Sequence, residues 1–374
     1  MSGKRLGIGF IGTGNISSAY LRAILGHENM AGFPVLDIKA LADMRPEASQ
    51  ARAAEFGLKS MSIDDMLADP EIALVINLTI PRAHVEVGLK CLAAGKHVYS
   101  EKPLGITYAE GRTLLDAANK AGLRIGSAPD TFLGGSHQQA RAVVDSGALG
   151  QIVGGTAFMQ VPGHEAWHPD PAFYYDIGGG PVLDMGPYYI TDLVNLFGPV
   201  ARVSAMSSRL RNQRPVLSEP KQGQIMDVKV DTHVTGSLGF ANGAIVQVGM
   251  SFDVPAHKHV PLELYGTEAS LIVPDPNFFG GEVELRKRGR DETWTPVLVT
   301  QPYADGNYRS LGVADMAQGI LDNRPHRANG DLALHVLEVM EAFATASREG
   351  RTIDIKTPVT RPAPLADSLR DGRI

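Results

Sequence analysis

Over residues 6–126 the hydrophobic period of the chain switches repeatedly between that of a strand and that of a helix, and this alternation constrains the fold more than any other feature. The apolar runs Leu6–Ile11, 35–42, 74–78, His97–Ser100 and 123–126 have the length and composition of buried strands. Between them, Asn15–Leu25, 45–56, 82–94 and Tyr108–Ala121 carry apolar residues three and four apart, the helical spacing. Gly57, Gly95 and Gly122 stand just past three of those helices, where a left-handed C-cap suits glycine. Alternation of this kind predicts βαβ units and a parallel, doubly wound Rossmann sheet, so the fold class is α/β.

Past residue 130 the texture changes. One helix over 138–145 leads into long strand-like stretches at 152–161, 200–210, 232–253, 262–273 and 281–287, with Asn242-Gly243 as a hairpin signal. Helical patterns at 313–321 and 332–349 precede a Pro-rich tail. At 374 residues the chain exceeds what one core usually serves. We therefore expect residues 1–128 to form a Rossmann domain. Residues 129–374 should form an α+β domain built on a large, mostly antiparallel open sheet. The polar segment 211–224, with Pro215 and Pro220, reads as an exposed excursion.

The 35 Lys and Arg against 41 Asp and Glu leave a net charge of -6 with no basic stripe, which argues against a nucleic-acid partner. A single cysteine, Cys91, permits neither an intrachain disulfide framework nor a cysteine metal cage, and its place in the helix 82–94 predicts burial. Lys4-Arg5 and the apolar run after it imitate a signal peptide, but Gly12, Gly14 and Asn15 interrupt the run. No stretch of about 18 apolar residues is present, so we expect a cytoplasmic protein with no membrane partner.

Gly12-Thr13-Gly14-Asn15-Ile16-Ser17 closes the first strand and opens the first helix. Glycine at 12 allows the tight turn, and glycine at 14 lets the backbone approach a pyrophosphate that the helix N-terminus attracts. Ser17 takes the third position of the motif, small enough for close packing of helix on strand. Asp43, ending the second strand, is the expected acceptor for the ribose hydroxyls; the loop 26–34 accounts for its distance from Gly14. A turn with Asp43 capping the helix that begins near Pro46 is the bland alternative. A carboxylate at 43 repels a 2′-phosphate, which favours NAD, while Arg45 leaves NADP open.

Together with Glu101-Lys102-Pro103 and the run from Gly178-Gly179-Gly180 through Asp184 to Gly186, the opening motif resembles the Gfo/Idh/MocA family of glucose-fructose oxidoreductase and inositol dehydrogenase. The resemblance covers nearly the whole chain. It implies an NAD(P)-dependent oxidoreductase that moves a hydride between nicotinamide and a secondary alcohol or ketone of a sugar, inositol or related cyclic polyol. By the same resemblance residues 1–128 bind NAD(P), residues 129–374 serve substrate binding and oligomerisation, and the protein is a homodimer or homotetramer. Hydrolysis of a glycoside by transient oxidation, and a cofactor-binding regulator without enzymatic activity, stand as the alternatives that relatives suggest. By the same resemblance Lys102 is catalytic, polarising the reacting oxygen, and Asp184 orients the substrate or the lysine. Tyr188, where many members carry histidine, is the acid-base candidate, and which of Lys102 and Tyr188 takes the proton stays open. Glu101, Asn77 and Thr79 are expected to touch the cofactor, as is His84 unless it serves packing.

His164-Glu165-Ala166-Trp167-His168 matches the H-E-x-x-H zinc pattern in letters. Pro162-Gly163 before it and Pro169 and Pro171 after it deny the helix that would put both histidines on one face, so no metal is expected. We read the segment as a substrate loop, with Trp167, His168, Tyr174 and Tyr175 offering stacking faces and donors to a sugar ring, or else as aromatic anchors of the loop.

Overall fold

A computed structural model describes residues 4–27, 30–365, 372 and 374. Residues 28 and 29 of the loop 26–34, and 366–371 and 373 of the tail, lie outside the described residues. The chain forms two compact units: residues 1–138, 301–334 and 362–374 make the first, and 139–300 and 335–361 the second.

The first unit begins β1 Leu6–Ile11, α1 Asn15–Leu25, β2 Leu36–Ala42, α2 Pro46–Phe56, α3 Ile63–Ala68, β3 Leu74–Asn77, α4 His84–Ala93, β4 His97–Ser100, α5 Tyr108–Ala121 and β5 Ile125–Ser127. The five strands pair in parallel in the order β2-β1-β3-β4-β5. Neighbouring residues such as Val75 and Ile76 are both fully buried, which requires both faces of the sheet to be covered. Strand order reverses between β1 and β3, and the carboxyl ends beside such a reversal form the ligand crevice of open α/β sheets. Ile11 pairs with Asn77 there, so the loops after β1 and β3 leave the sheet side by side.

Two elements depart from the sequence reading. Strand β5 starts two residues later than expected because the amide of Leu123 still donates to Ala118 in closing α5 over the left-handed Gly122. Helix α3 was not anticipated, although Ser62 caps it by accepting from the Asp65 amide at 3.0 Å. Later segments complete this unit. Helix α8, Leu311–Leu321, starts where buried Asp130 accepts from the amides of Ser310 (3.0 Å) and Gly312 (2.9 Å). Asn329 bridges to Gly126 on β5.

Helix α6, Gly135–Asp145, precedes the second unit's strands β6 Ile152–Gln160, β7 Val200–Ser208, β8 Gln213–Pro215, β9 Ile225–Asp227, β10 His233–Phe240, β11 Ile245–Ser251, β12 Leu262–Gly266, β13 Ala269–Val273, β14 Glu284–Lys287, β15 Thr295–Pro296 and β16 Ile353–Asp354. Its long helices are α7, Pro181–Phe197, and α9, Gly330–Glu349. Nine strands form one sheet, β15-β14-β13-β12-β6-β11-β10-β7-β16, antiparallel except for the parallel pair β6 and β11. The expected hairpin joins β10 to β11. Its turn is longer than a two-residue one: Gly243 donates to Phe240 and alone takes a positive φ, +92°, a turn closed by a glycine bulge.

The segment 211–224 is largely exposed as expected, but it is not without structure: β8 lies within it and pairs with β9 just beyond it, and Arg214 is 1% exposed. The guanidinium finds its partners inward, and that overrides the polar composition around it.

Candidate active site

The glycine loop sits at the carboxyl end of β1. Gly12 has φ +99°, and a Cβ there would lie 2.6 Å from the Leu78 carbonyl carbon, so the close approach of the β1 and β3 loops excludes a side chain. Gly14 is the reverse case, because a Cβ built on it meets nothing within 4 Å. It is the N-cap of α1, supplies no side-chain acceptor, and the first turn holds no acidic residue. Open space in front of uncapped amides is what a pyrophosphate needs, and these residues fit a dinucleotide.

Asp43 follows β2 and is tied to this loop. One carboxylate oxygen accepts from the Thr13 amide (2.8 Å) and hydroxyl (2.9 Å), and the other from the Arg45 amide (3.0 Å). Partial burial opposes its charge, but the hydrogen bonds from the Arg45 and Thr13 amides and the Thr13 hydroxyl outweigh that and hold the carboxyl below its ordinary range. The side chain of Arg45 is largely exposed beside it. Asn15 and Ile16 open α1.

Residues after β3 and β4 interlock. Asn77, fully buried, donates to the His84 carbonyl (2.9 Å) and to the Ser100 hydroxyl (3.2 Å), and accepts from the Thr79 hydroxyl (2.6 Å). Both ring nitrogens of buried His84 face carbonyls, Nδ1 that of Pro103 (2.7 Å) and Nε2 that of Thr79 (2.9 Å). Burial pushes its imidazole below the usual value, against the pull of those carbonyls and of Glu101. Glu101 is held from both ends: Oε1 accepts from Tyr20 Oη at 2.8 Å and Oε2 from the Lys102 amide at 2.8 Å. The polar side-chain atoms of Asn77, His84 and Glu101 thus face protein and brace the loops that carry Thr79 and Lys102, for His84 the packing alternative. Tyr20 was missed from the sequence, where a tyrosine on an apolar helix face reads as core. Lys102 itself is half-buried and joined to Pro103 by a cis peptide. Cys91 is buried as expected, its thiol pushed up to about 12 by burial.

The second unit holds the other candidates. Asp184 lies in the first turn of α7 and Tyr188 four residues on, so both occupy one helix face, with Tyr188 nearly buried. The glycines before them serve packing. Gly180 donates to the Tyr174 carbonyl at 2.7 Å, and a Cβ on Gly179 would strike the Phe173 carbonyl at 2.6 Å, so the glycines seat the aromatic turn Pro171–Tyr174.

That turn belongs to the loop 161–180, which is not helical across the H-E-x-x-H letters. His164 Nε2 lies 3.2 Å from Asp184 Oδ2, whereas His168 Nδ1 accepts from the Asp170 amide at 3.0 Å. Glu165 pairs with Arg214 Nη1 at 2.6 Å and accepts the hydroxyl of Tyr175. Arg214 also donates to the Phe252 carbonyl (2.9 Å) and to Asp253, and its guanidinium lies 5.0 Å from the centre of the Tyr175 ring. Tyr175 is fully buried in this cluster, so the expectation that it stacks on substrate is corrected. Trp167 is 60% exposed. Tyr174 and His168 are half-buried, with ring centroids 5.4 Å apart. Sequence reasoning missed Arg214 and the pairing of His164 with Asp184. The only signal for the latter was a histidine left over once the zinc motif was rejected.

Residues 6–128 match a family model described as an oxidoreductase family with an NAD-binding Rossmann fold, and residues 137–272 match the GFO/IDH/MocA C-terminal domain. Levoglucosan dehydrogenase of Pseudarthrobacter phenanthrenivorans is 26% identical over 295 residues, 72% of this chain and 73% of the relative. A 1,5-anhydro-D-fructose reductase of Ensifer adhaerens is 27% identical over 271 residues, 71% of this chain and 74% of that one. The solved structure of a levoglucosan dehydrogenase with NADH and L-sorbose superposes with a TM-score of 0.80 at 20% identity, covering 95% of this chain and all 100% of the other. An NAD-binding oxidoreductase from Klebsiella pneumoniae gives 0.79 at 22% identity, over 95% and 100%.

Proposed function

We propose that this chain, which belongs to the Gfo/Idh/MocA family of NAD-binding oxidoreductases, interconverts a secondary alcohol and a ketone on a sugar or cyclic polyol. Similarity to a levoglucosan dehydrogenase and an anhydrofructose reductase supports the sugar class. Bound NAD supplies the two-electron hydride acceptor. Asn15, Ile16 and the bare amides at the start of α1 receive its pyrophosphate, and Asp43, with Thr13 behind it, receives the ribose.

Lys102 is assigned the role of holding the reacting oxygen as negative charge develops there. The observation that carries this assignment is the double tether of Glu101, which fixes the Lys102 amide at the carboxyl end of β4. Tyr188 or Lys102 exchanges the hydroxyl proton, and Asp184, on the same face of α7 as Tyr188, orients the substrate. Trp167, Tyr174 and His168 give the sugar ring its apolar face. The same reading makes the enzyme a cytoplasmic homodimer or homotetramer, supported by Met206 and Ile245, exposed on the outward face of the large sheet.

The test is a rate panel of aldoses, anhydro-sugars, keto-sugars and inositols with NAD and NADP, followed by reduced-cofactor absorbance. Turnover of a sugar is expected, and Lys102→Ala should lower kcat by roughly 10²- to 10⁴-fold without loss of NADH binding. No turnover of any member in either direction would sink the reading. Release of an aglycone without net cofactor reduction would move it to the glycosidase alternative.

A further inference from the structure

His164 stands outside the roles assigned above, and its surroundings are unusual for a loop histidine. It is held from behind: its amide donates to the Tyr175 hydroxyl at 3.1 Å, and Tyr175 is locked to Glu165 and Arg214. Gly163 before it has φ +115°, a backbone state that glycine adopts freely, so the chain enters the imidazole through a built turn. The ring lies against Tyr174 (centroids 4.1 Å apart), Phe252 (4.5 Å) and Trp167 (5.4 Å).

A carboxylate oxygen only accepts, so the contact with Asp184 Oδ2 puts the ring hydrogen on Nε2. A neutral imidazole then has a bare acceptor at Nδ1. That atom is enclosed and has no hydrogen-bond partner. Buried polar atoms are ordinarily satisfied, so this one calls for a donor from outside the protein. Aromatic faces beside an unsatisfied acceptor suit a sugar ring, which brings apolar C–H patches and hydroxyl donors together.

We infer that His164 is a substrate-holding residue whose Nε2–H steadies Asp184 while its Nδ1 accepts a hydrogen bond from one hydroxyl of the bound sugar. The inference rests on the sugar reading above. It differs from the catalytic assignment, because His164 selects which hydroxyl pattern is held and the reacting proton goes elsewhere.

Two measurements test it. In uniformly ¹⁵N-labelled protein, the ring signals absent from His164→Gln belong to His164; they should report hydrogen on Nε2 and a bare Nδ1, and hydrogen fixed on Nδ1 overturns the inference. In kinetics, the active sugar of the panel is compared with its monodeoxy analogues in the wild type, His164→Gln and His164→Phe. Glutamine keeps the donor to Asp184 and loses the Nδ1 acceptor, so it should keep kcat and raise KM. One deoxy analogue should lose about tenfold in kcat/KM with the wild type and almost nothing with either variant. A merely structural histidine would lower all analogues alike, and undiminished discrimination in His164→Gln overturns the proposal. If the wild type turns over no sugar, the function reading fails by itself and the tautomer alone decides for or against the pair.

Discussion

The loops after β1, β3 and β4 in the first unit and the loop 161–180 in the second answer the same demand differently. In the first unit nearly every polar group near the crevice faces another part of the protein: Asp43 faces Thr13, Asn77 faces Ser100 and Thr79, and Glu101 faces Tyr20. In the second, one charged cluster around Arg214 anchors the loop, while Trp167 and Phe173 stay exposed and His164 keeps an unsatisfied nitrogen. The contrast teaches that a site for an invariant ligand can be braced by short, local polar bridges. The loop 161–180 is held from its buried side, by the Arg214 cluster and by backbone bonds such as those from Leu217 to Glu165 and from Lys229 to Tyr175, and leaves aromatic groups open.

The sharpest way to break that contrast is Arg214→Ala. Without this guanidinium the buried carboxylates of Glu165 and Asp253 lose their counter-charge, and stability should fall by about 3–5 kcal/mol. A urea midpoint within error of the wild type would show that the loop's backbone bonds to Leu217 and Lys229 hold it without the charged cluster.

The first unit offers a titration of comparable size. His326 donates to the Ile125 carbonyl at 3.1 Å, and burial lowers its imidazole from 6.5 to about 4. Between those pH values the unfolded chain binds the extra proton, so stability is present above about 6.5 and is lost as pH falls toward 4, by at most about 3 kcal/mol. His326→Gln should flatten that limb of a plot of melting temperature against pH, and an unchanged slope would assign the acid sensitivity elsewhere.

The smallest effect concerns the brace itself. Asp43→Asn keeps an acceptor for Thr13 and removes the charge, so we expect about tenfold weaker NADH binding by fluorescence with little change in melting temperature. A large loss of stability would mean that the carboxylate serves the loop more than the ligand.

Much of the first unit was legible from the sequence because its signals are local. Hydrophobic period marks β1 to β4 and their helices, and the position of Asp43 after β2 follows from the same count. The order of the strands in the nine-stranded sheet was not legible, since β6 pairs with β11 and β12 across roughly a hundred residues, and nothing local encodes such pairing. The site divides in the same way. The family motif marked Asp184 and Tyr188, but the helix that puts them on one face, the burial of Arg214 in a polar segment and the contact between His164 and Asp184 come from the structure. The inward turn of His84 and Asn77 was not legible for a related reason, because a polar residue at a strand end looks the same whether it meets a ligand or a neighbouring carbonyl.

The composition of the first unit has a consequence for how the chain is made. Its parallel strands are all synthesised once β5 has emerged, but the segment that seals the outer edge of β5 lies far downstream, with His326 reaching Ile125 across a sequence separation of 201. A nascent chain therefore carries an open sheet edge through the translation of nearly the entire second unit, a long exposure to mispairing that chaperones or slow elongation would have to cover.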